Sequence, residues 1–95
     1  MTYAEIKKTG TMLHTYDKYG QGPYQNVYAG TVEYWLVGNA VYRHETNDNG
    51  FAYTGKKSDT WKIGQTKDVN VLKTEIEQRL ETGMTYDDAI VYSLD

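Results

Sequence analysis

Apolar and polar residues alternate between residues 26 and 63, and turn sequences interrupt the alternation. A period of two places successive side chains on opposite faces of a strand, so this region predicts an antiparallel β-meander. Gly38-Asn39 separates strands predicted over residues 31–37 and 40–45, and it suits a two-residue type I′ or II′ turn. That turn fixes the register, in which the facing pairs are Val37 with Ala40, Leu36 with Val41, Trp35 with Tyr42, Tyr34 with Arg43, and Glu33 with His44.

Further along the meander, residues 47–50 read Asn-Asp-Asn-Gly, and Asn49-Gly50 is the strongest hairpin signal in the chain. We expect a returning strand over residues 51–54 and a polar turn over residues 55–59. A fourth short strand is predicted over residues 60–63, with Trp61 and Ile63 on one face.

The first residues admit two interpretations. Thr2 followed by Glu5 matches a capping box that opens a short helix. Alternatively, residues 4–8 and 11–16 form a hairpin around Thr9-Gly10. We favour the hairpin. Residues 18–23, KYGQGP, contain two glycines and the single proline, and they predict a surface loop.

After Asp68 the apolar period lengthens to about three and a half, which indicates an amphipathic helix. Asp68 or Asn70 can cap its start, and Gly83 followed by Met84 is a typical helix end. Thr85 to Asp88 reads as a second capping box. The predicted fold class is α+β, an antiparallel β-meander of four or five strands with one or two C-terminal helices packed on one face. The core residues expected on that face are Trp35, Tyr42, Phe51 and Trp61.

The composition predicts one domain over residues 1–95, because the length suffices for a single core. With no cysteine in the chain, disulfides, thiolate metal sites and cysteine nucleophiles are excluded, and a reducing, cytoplasmic location is expected. No apolar run approaches the length of a membrane span, and no secretory signal opens the chain, so no membrane partner is expected.

Charge divides along the chain. Residues 1–67 contain eight Lys or Arg and six Asp or Glu, a net of +2, whereas residues 68–95 contain two and seven, a net of −5. The acidic half could steer a basic partner or imitate a row of phosphates. A solvated helix face explains the same charges, and we favour that explanation. The acidic residues concerned are Asp68, Glu75, Glu77, Glu81, Asp87 and Asp88.

The second alternative is a small hydrolase, whose catalysis would have to rest on His44, which the register places opposite Glu33, with a serine or threonine nucleophile nearby. Ser58 and Ser93, the only serines, stand in no nucleophile motif. A cross-strand Glu–His pair is more often an ion pair, so we predict a protein that is not an enzyme.

No cofactor or metal site is predicted. Residues 45–50 resemble the start of a calcium loop, but position twelve is Lys56, where the loop needs glutamate. Gly20-Gln21-Gly22 lacks the lysine and the strand-to-helix setting of a phosphate loop.

Single-stranded nucleic acid, bound by aromatic and basic residues of the sheet, is a less favoured partner. Stacking rings and cations alternate on the sheet, yet the chain is acidic overall and has no RNA-recognition motif. The residues that would form such a surface are Tyr34, Trp35, Tyr42, Tyr53 and Trp61 with Arg43, Lys56, Lys57 and Lys62.

Tyrosine is the most unusual component, with ten copies against one phenylalanine. Tyrosine combines a ring with a hydroxyl, so it concentrates where apolar surface meets water or a partner. Four tyrosines surround the glycine-rich loop, a composition typical of adaptable protein-binding loops. The candidate binding residues are Tyr16, Tyr19, Tyr24, Tyr28, Tyr34 and Arg43.

In general character the chain resembles the small, acidic, tyrosine-rich proteins that phages and mobile elements encode against host machinery. This resemblance rests on composition and covers no particular residue. It implies an inhibitor that occupies a surface of a protein partner. A homo-oligomer is also compatible with the exposed sheet edges.

Overall fold

A computed structural model describes residues 1–20, 23, 26–48 and 56–95. Four strands form one antiparallel sheet in the order β1-β2-β3-β4, with one helix before the sheet and two after it. The elements are α1 Tyr3–Thr9, β1 Thr11–Tyr19, β2 Tyr28–Val37, β3 Ala40–Asp48, β4 Lys56–Gln65, α2 Val69–Glu81 and α3 Tyr86–Ser93. The predicted α+β meander with C-terminal helices is confirmed.

The central hairpin has the predicted register, including all five facing pairs between β2 and β3. Gly38 has a φ of 61°, while no described non-glycine residue has a positive φ. A positive φ at the first turn residue only is the type II′ pattern, whose twist matches that of the flanking strands. The Gly38-Asn39 turn therefore sets which side chains reach each face.

The N-terminal hairpin prediction is wrong for residues 4–8, which form helix α1 instead of a strand. Both bonds of the capping box are present, because Thr2 accepts from the Glu5 amide and the Glu5 side chain accepts from the Thr2 amide. Ile6 is fully buried. The burial of Ile6 and the contacts of Tyr3 with the sheet decide for the helix that the cap allows, and β1 starts immediately after Gly10.

The strands at the far end of the sheet are longer than predicted. β1 continues through Tyr19, β3 continues through Asp48, and β4 already begins at Lys56. Residues 18–19, 47–48 and 56–59 were therefore wrongly assigned to turns. Polar residues occupy both faces there, so the alternation that reveals a half-buried strand is absent. The predicted 51–54 strand, Asn49-Gly50, Gly55 and Phe51 lie outside the described residues.

Helices α2 and α3 pack on one face of the sheet and enclose the main core. Their starts and ends follow the predicted signals: Asp68 caps α2, and Thr85 accepts from the Asp88 amide at the start of α3. At the end of α2 the Met84 amide bonds to Arg79 and the Gly83 amide to Leu80, which is a Schellman motif. The buried core residues are Val32, Tyr34, Leu36, Val41, Leu72, Ile76, Ala89 and Ile90.

The core prediction selected the wrong face of the sheet for Trp35 and Tyr42, whereas Trp61 lies beside Arg43 on the face that α2 and α3 cover. Trp35 is buried, but it lies on the opposite face, where α1 packs against β2. Tyr42 is only half-buried, and Trp61 is 42% exposed. Among the described residues Tyr34 is the one large ring buried in the core beneath α2 and α3, and the other buried side chains of that core are aliphatic. None of the described helices is long and apolar enough to span a membrane.

Candidate functional site

The part of the sheet beyond the contacts of α3 is called the distal end, and it consists of residues 17–19 of β1, 28–31 of β2, 46–48 of β3 and 56–58 of β4. Described hydrogen bonds and ring contacts of α3 with β1 fall on His14 and Tyr16, before this region. The distal end therefore extends past the contacts of α3 with β1, and two of the predicted binding tyrosines, Tyr19 and Tyr28, lie on its strands.

Tyr19 and Tyr28 face each other across β1 and β2 at the distal end. Tyr19 is 57% exposed and Tyr28 is 38% exposed. The Tyr28 hydroxyl hydrogen-bonds to the Thr31 hydroxyl, which donates in turn to Asp17 at 3.1 Å. This chain of bonds fixes the direction of the Tyr28 ring, so the site offers a positioned aromatic surface.

The other predicted binding residues have different positions. Tyr24 lies outside the described residues. Tyr34 is 1% exposed and belongs to the core, while Tyr16 is half-buried against it. Arg43 is half-buried beside Tyr34, as the register predicted. Three of the six candidates therefore meet away from Tyr19 and Tyr28.

Asp87 is the centre of that second group, which we call the Asp87 hub: Tyr16, Tyr34, Arg43 and Asp87. The Asp87 carboxylate accepts from the Tyr16 hydroxyl at 2.6 Å, from Arg43 Nη1 at 2.9 Å and from the Tyr34 hydroxyl. Arg43 also donates to the Tyr34 oxygen. The hub ties three strands to the first turn of α3, where a carboxylate is favoured by the helix dipole.

Proton affinities in the hub follow from these contacts. Burial alone would raise the pKa of Asp87, but the hydrogen bonds from Tyr16 and Tyr34 and the charge of Arg43 outweigh it, so the pKa is lowered. Burial raises the pKa of Tyr34 and of Tyr16, and the bond to Asp87 raises both further. At neutral pH the hub therefore holds one anion and one cation between two neutral phenols.

Ion pairs extend the hub toward the distal end. Arg43 Nη2 lies 3.7 Å from Glu45, and Lys18 Nζ lies 2.6 Å from the other oxygen of Glu45. Both cations are therefore already paired with carboxylates. This arrangement stiffens the sheet below Tyr19 and leaves neither Arg43 nor Lys18 as a free cation for phosphate.

The Glu33 and His44 pair adopts the predicted register, but the two side chains have separate partners. Glu33 accepts from the Tyr3 hydroxyl at 2.8 and 2.9 Å and from Trp35 Nε1 at 2.8 Å. The His44 ring is 4% exposed and stacks on the Tyr3 ring, with centroids 3.5 Å apart. Tyr3 therefore covers one face of the imidazole, and little of His44 is exposed to solvent.

Both nitrogens of His44 face threonine hydroxyls, with Thr60 at 2.7 Å from Nδ1 and Thr46 at 3.4 Å from Nε2. Burial lowers the pKa of His44. Through these bonds and its stacking on Tyr3, His44 holds α1 against the sheet.

The two serines of the catalytic hypothesis have other positions. Ser93 donates to a carbonyl within α3, and Ser58 pairs with Thr46 across the strands.

The aromatic and basic residues of the nucleic-acid hypothesis do not share one face. Tyr34 and Trp35 are buried on opposite faces, and Trp61 remains exposed with the Arg43 guanidinium 5.8 Å from its ring. Lys57 pairs with Asn47, and Lys62 pairs with Tyr42 on the α1 face. Tyr53 and the Lys56 side chain lie outside the described residues.

For metal binding, the described ranges contain no group of three His, Cys, Asp or Glu side chains suited to an ion. Most of the calcium-like stretch, from residue 49 to residue 55, lies outside those ranges, as does most of Gly20-Gln21-Gly22. Two of the acidic residues considered as phosphate mimics have structural partners. Asp68 caps α2, and Asp87 accepts hydrogen bonds within the Asp87 hub.

Two important residues were missed by the sequence interpretation. Asp87 was considered only as a surface charge, although its place in the first turn of α3 was a signal for a structural carboxylate. Tyr92 was not considered and is 65% exposed on α3. It provides a tyrosine remote from the distal end for comparison.

No family model matches the chain, and no curated protein or solved structure is similar to it.

Proposed function

We propose that the chain is a non-catalytic protein-binding module that occupies a surface of a protein partner through its distal end, and that it inhibits the partner by doing so. The observation that carries the proposal is the exposed pair Tyr19 and Tyr28 on adjacent strands. Tyrosine gives a large contact area at a low cost in side-chain entropy, and it is enriched among residues that dominate binding energy.

The surroundings of the pair support this function. The Asp87 hub and the Lys18–Glu45 ion pair hold the strands below it, so little ordering is required when a partner binds. The charge of −5 on residues 68–95 favours encounter with a basic partner. The resemblance to phage-encoded inhibitors agrees with an action by occupation.

Affinity capture with matched baits tests the proposal. The baits are the wild-type chain, a Tyr19→Ala/Tyr28→Ala variant and a Tyr92→Ala variant. Removing a dominant contact residue costs about 2 kcal/mol or more of binding free energy. We expect a protein that binds the wild type and Tyr92→Ala equally and is lost from the double variant.

Circular dichroism of the three baits controls for folding, since all three positions are exposed. Capture that survives in the double variant would refute the proposed site. A chain that captures only nucleic acid, with retention that falls steeply with salt, would refute the proposed partner class.

A further inference from the structure

Helix α1 has few anchors on the sheet. It has seven residues, and isolated helices of that length are unstable in water. Ile6 is its one buried residue, and this side chain lies outside the cluster of buried residues beneath α2 and α3. Tyr3 contacts Glu33 through its hydroxyl and His44 through its ring. Because these anchors lie at a chain end and outside the main core, α1 can leave the sheet without opening that core.

The His44 ring is enclosed beneath α1. It is 4% exposed, and the Tyr3 ring lies parallel to it within 4°. Its two nitrogens face the hydroxyls of Thr60 and Thr46, so neither nitrogen has a carboxylate partner among the described residues. A neutral imidazole donates from one nitrogen and accepts at the other, whereas an imidazolium only donates. Protonation therefore removes the acceptor of one threonine hydroxyl in a site that is closed to water.

The charged groups around His44 do not compensate an imidazolium. On α1, Lys7 Nζ lies 4.7 Å from the centre of the Tyr3 ring, so protonation would add a second cation to that ring. On β2, Glu33 attracts an imidazolium, but both of its oxygens accept from the Tyr3 hydroxyl. On β4, Asp59 attracts it as well. Burial and Lys7 outweigh the two carboxylates, which lowers the pKa of His44 while α1 is in place.

We infer that α1 responds to acid: protonation of His44 releases α1 from the sheet, while the core beneath α2 and α3 remains folded. Once α1 has left, the imidazole is open to water and binds a proton at its ordinary pKa of 6.5. Docking of α1 is therefore strongest above pH 6.5, and it weakens as the pH falls toward the lower pKa of the docked state. Release uncovers the sheet face that carries Trp35, which is buried in the docked state. This response is independent of what the distal end binds.

Titration of His44 with and without docked α1 tests the inference. The proton on Cε1 of His44 is followed by NMR as the pH is lowered, in the wild type and in Ile6→Ser, where a polar side chain replaces the buried anchor of α1. Proton binding and helix docking affect each other equally, so His44 should titrate at a higher pH in Ile6→Ser. His14→Gln changes the other histidine, which stacks on Tyr86, and it should leave the His44 titration unaltered.

Hydrogen exchange of the full chain shows where the release occurs. The amides of Ile6 and Gly10 donate to carbonyls of Thr2 and of α1, so their protection reports the docked helix. Between pH 7.5 and 5 their protection factors should fall by roughly threefold or more, with a limit of about thirtyfold for a group that titrates at 6.5 after release. His44→Gln has no titrating group at this position, and its α1 protection should be the same at both pH values. At each pH the α2 amides should be roughly tenfold or more better protected than those of α1, because the core stays closed.

The inference is overturned if His44 titrates alike in the wild type and in Ile6→Ser, if α1 protection falls equally in the wild type and in His44→Gln, or if α1 and α2 are equally protected. Loss of the folded sheet in Ile6→Ser, detected by circular dichroism, would also overturn it, because the core would then depend on α1. Each of these results would leave the proposed binding site at Tyr19 and Tyr28 standing.

Discussion

Asp87 joins the sheet to the helices through one carboxylate. It accepts from residues of β1, β2 and β3, and its lowered pKa means that the folded state favours the charged form. Tyr34 depends on it most, because this buried hydroxyl donates to Asp87. A buried donor that loses its acceptor costs free energy even when its packing is unchanged.

Replacing Asp87 by alanine should therefore lower the free energy of unfolding by about 1–3 kcal/mol. Urea unfolding followed by circular dichroism measures the change. Asp88→Ala is the matched control, since the neighbouring carboxylate is exposed and has no described side-chain bond, and we expect a change within about 0.5 kcal/mol. Equal effects at the two positions would contradict the role given to the hub.

His44 makes stability depend on pH below about 6.5. Burial lowers the pKa of His44 below its ordinary 6.5, Lys7 adds to this, and Glu33 and Asp59 oppose it. The unfolded chain therefore takes up the proton first, so the stabilisation is complete above pH 6.5 and is lost as the pH falls to the folded pKa. The lowered pKa of Asp87 affects stability only below about pH 3.8, the ordinary pKa of this carboxyl group.

Unfolding free energies measured between pH 7.5 and 5 should decrease in the wild type and change less in His44→Gln. The same slope in both proteins would show that another group carries the pH dependence.

Helix α1 shows what the sequence reveals about a secondary-structure element and what it does not reveal. The capping box at Thr2 was visible, yet a hairpin was equally consistent with the local pattern, and only the burial of Ile6 and the Tyr3 contacts with Glu33 and His44 decide between them. These contacts join residues about 30 and 40 positions apart in the chain. Local periodicity carries no information on such pairings.

The β2–β3 hairpin and α2 could be predicted because their signals are local. Gly38-Asn39 fixes the register, and Leu72 and Ile76 fix the buried stripe. The candidate site could be predicted only in part. Tyr19 and Tyr28 were identified from loop composition, but separating them from Tyr34 required knowing which sheet face the helices cover. Because helices pack on both faces of the sheet, neither face is uniformly polar in the sequence, and the face beneath α2 and α3 could not be identified from the sequence.

Thr2→Ala should destabilise α1 by about 1 kcal/mol, because the Glu5 amide loses the Thr2 hydroxyl as its acceptor. Faster hydrogen exchange at the α1 amides, measured by NMR, reports the change. Thr74→Ala removes an exposed hydroxyl within α2 and should leave α1 exchange unaltered. Unchanged exchange in Thr2→Ala would mean that Ile6 and Tyr3 hold the helix without its cap.

Gly30 is required for the pairing of β2 with β3, because its φ of 140° and its close contact with β3 exclude a side chain. A Cβ atom there would collide with the Thr46 carbonyl oxygen, whereas one at Gly38 would meet nothing within 4 Å. Gly38→Ala should cost about 1–2 kcal/mol for its left-handed backbone. Gly30→Ala should cost more in thermal unfolding, and a smaller cost would contradict the close pairing of β2 with β3.

At the scale of the whole molecule, the described helices pack on one part of the sheet, and the proposed function assigns recognition to the distal end. Helices α2 and α3 bury the core at one end of the sheet. The Asp87 hub and the ion pairs connect the strands between this core and the distal end, where Tyr19 and Tyr28 are exposed. The acidic helices add a long-range field that acts on partner approach. Under the proposed function, stability and recognition are separated along the strands, so substitutions at the two exposed tyrosines should leave the core intact.

Site-specific photocrosslinking tests the distal-end binding site most directly. The photoreactive amino acid p-benzoylphenylalanine replaces Tyr19 in one protein and Tyr92 in another, and both are irradiated in extract with equal exposure to light. We predict one discrete protein adduct from position 19 and none from position 92. An adduct at position 92 alone, or a nucleic-acid adduct at position 19, would contradict the account.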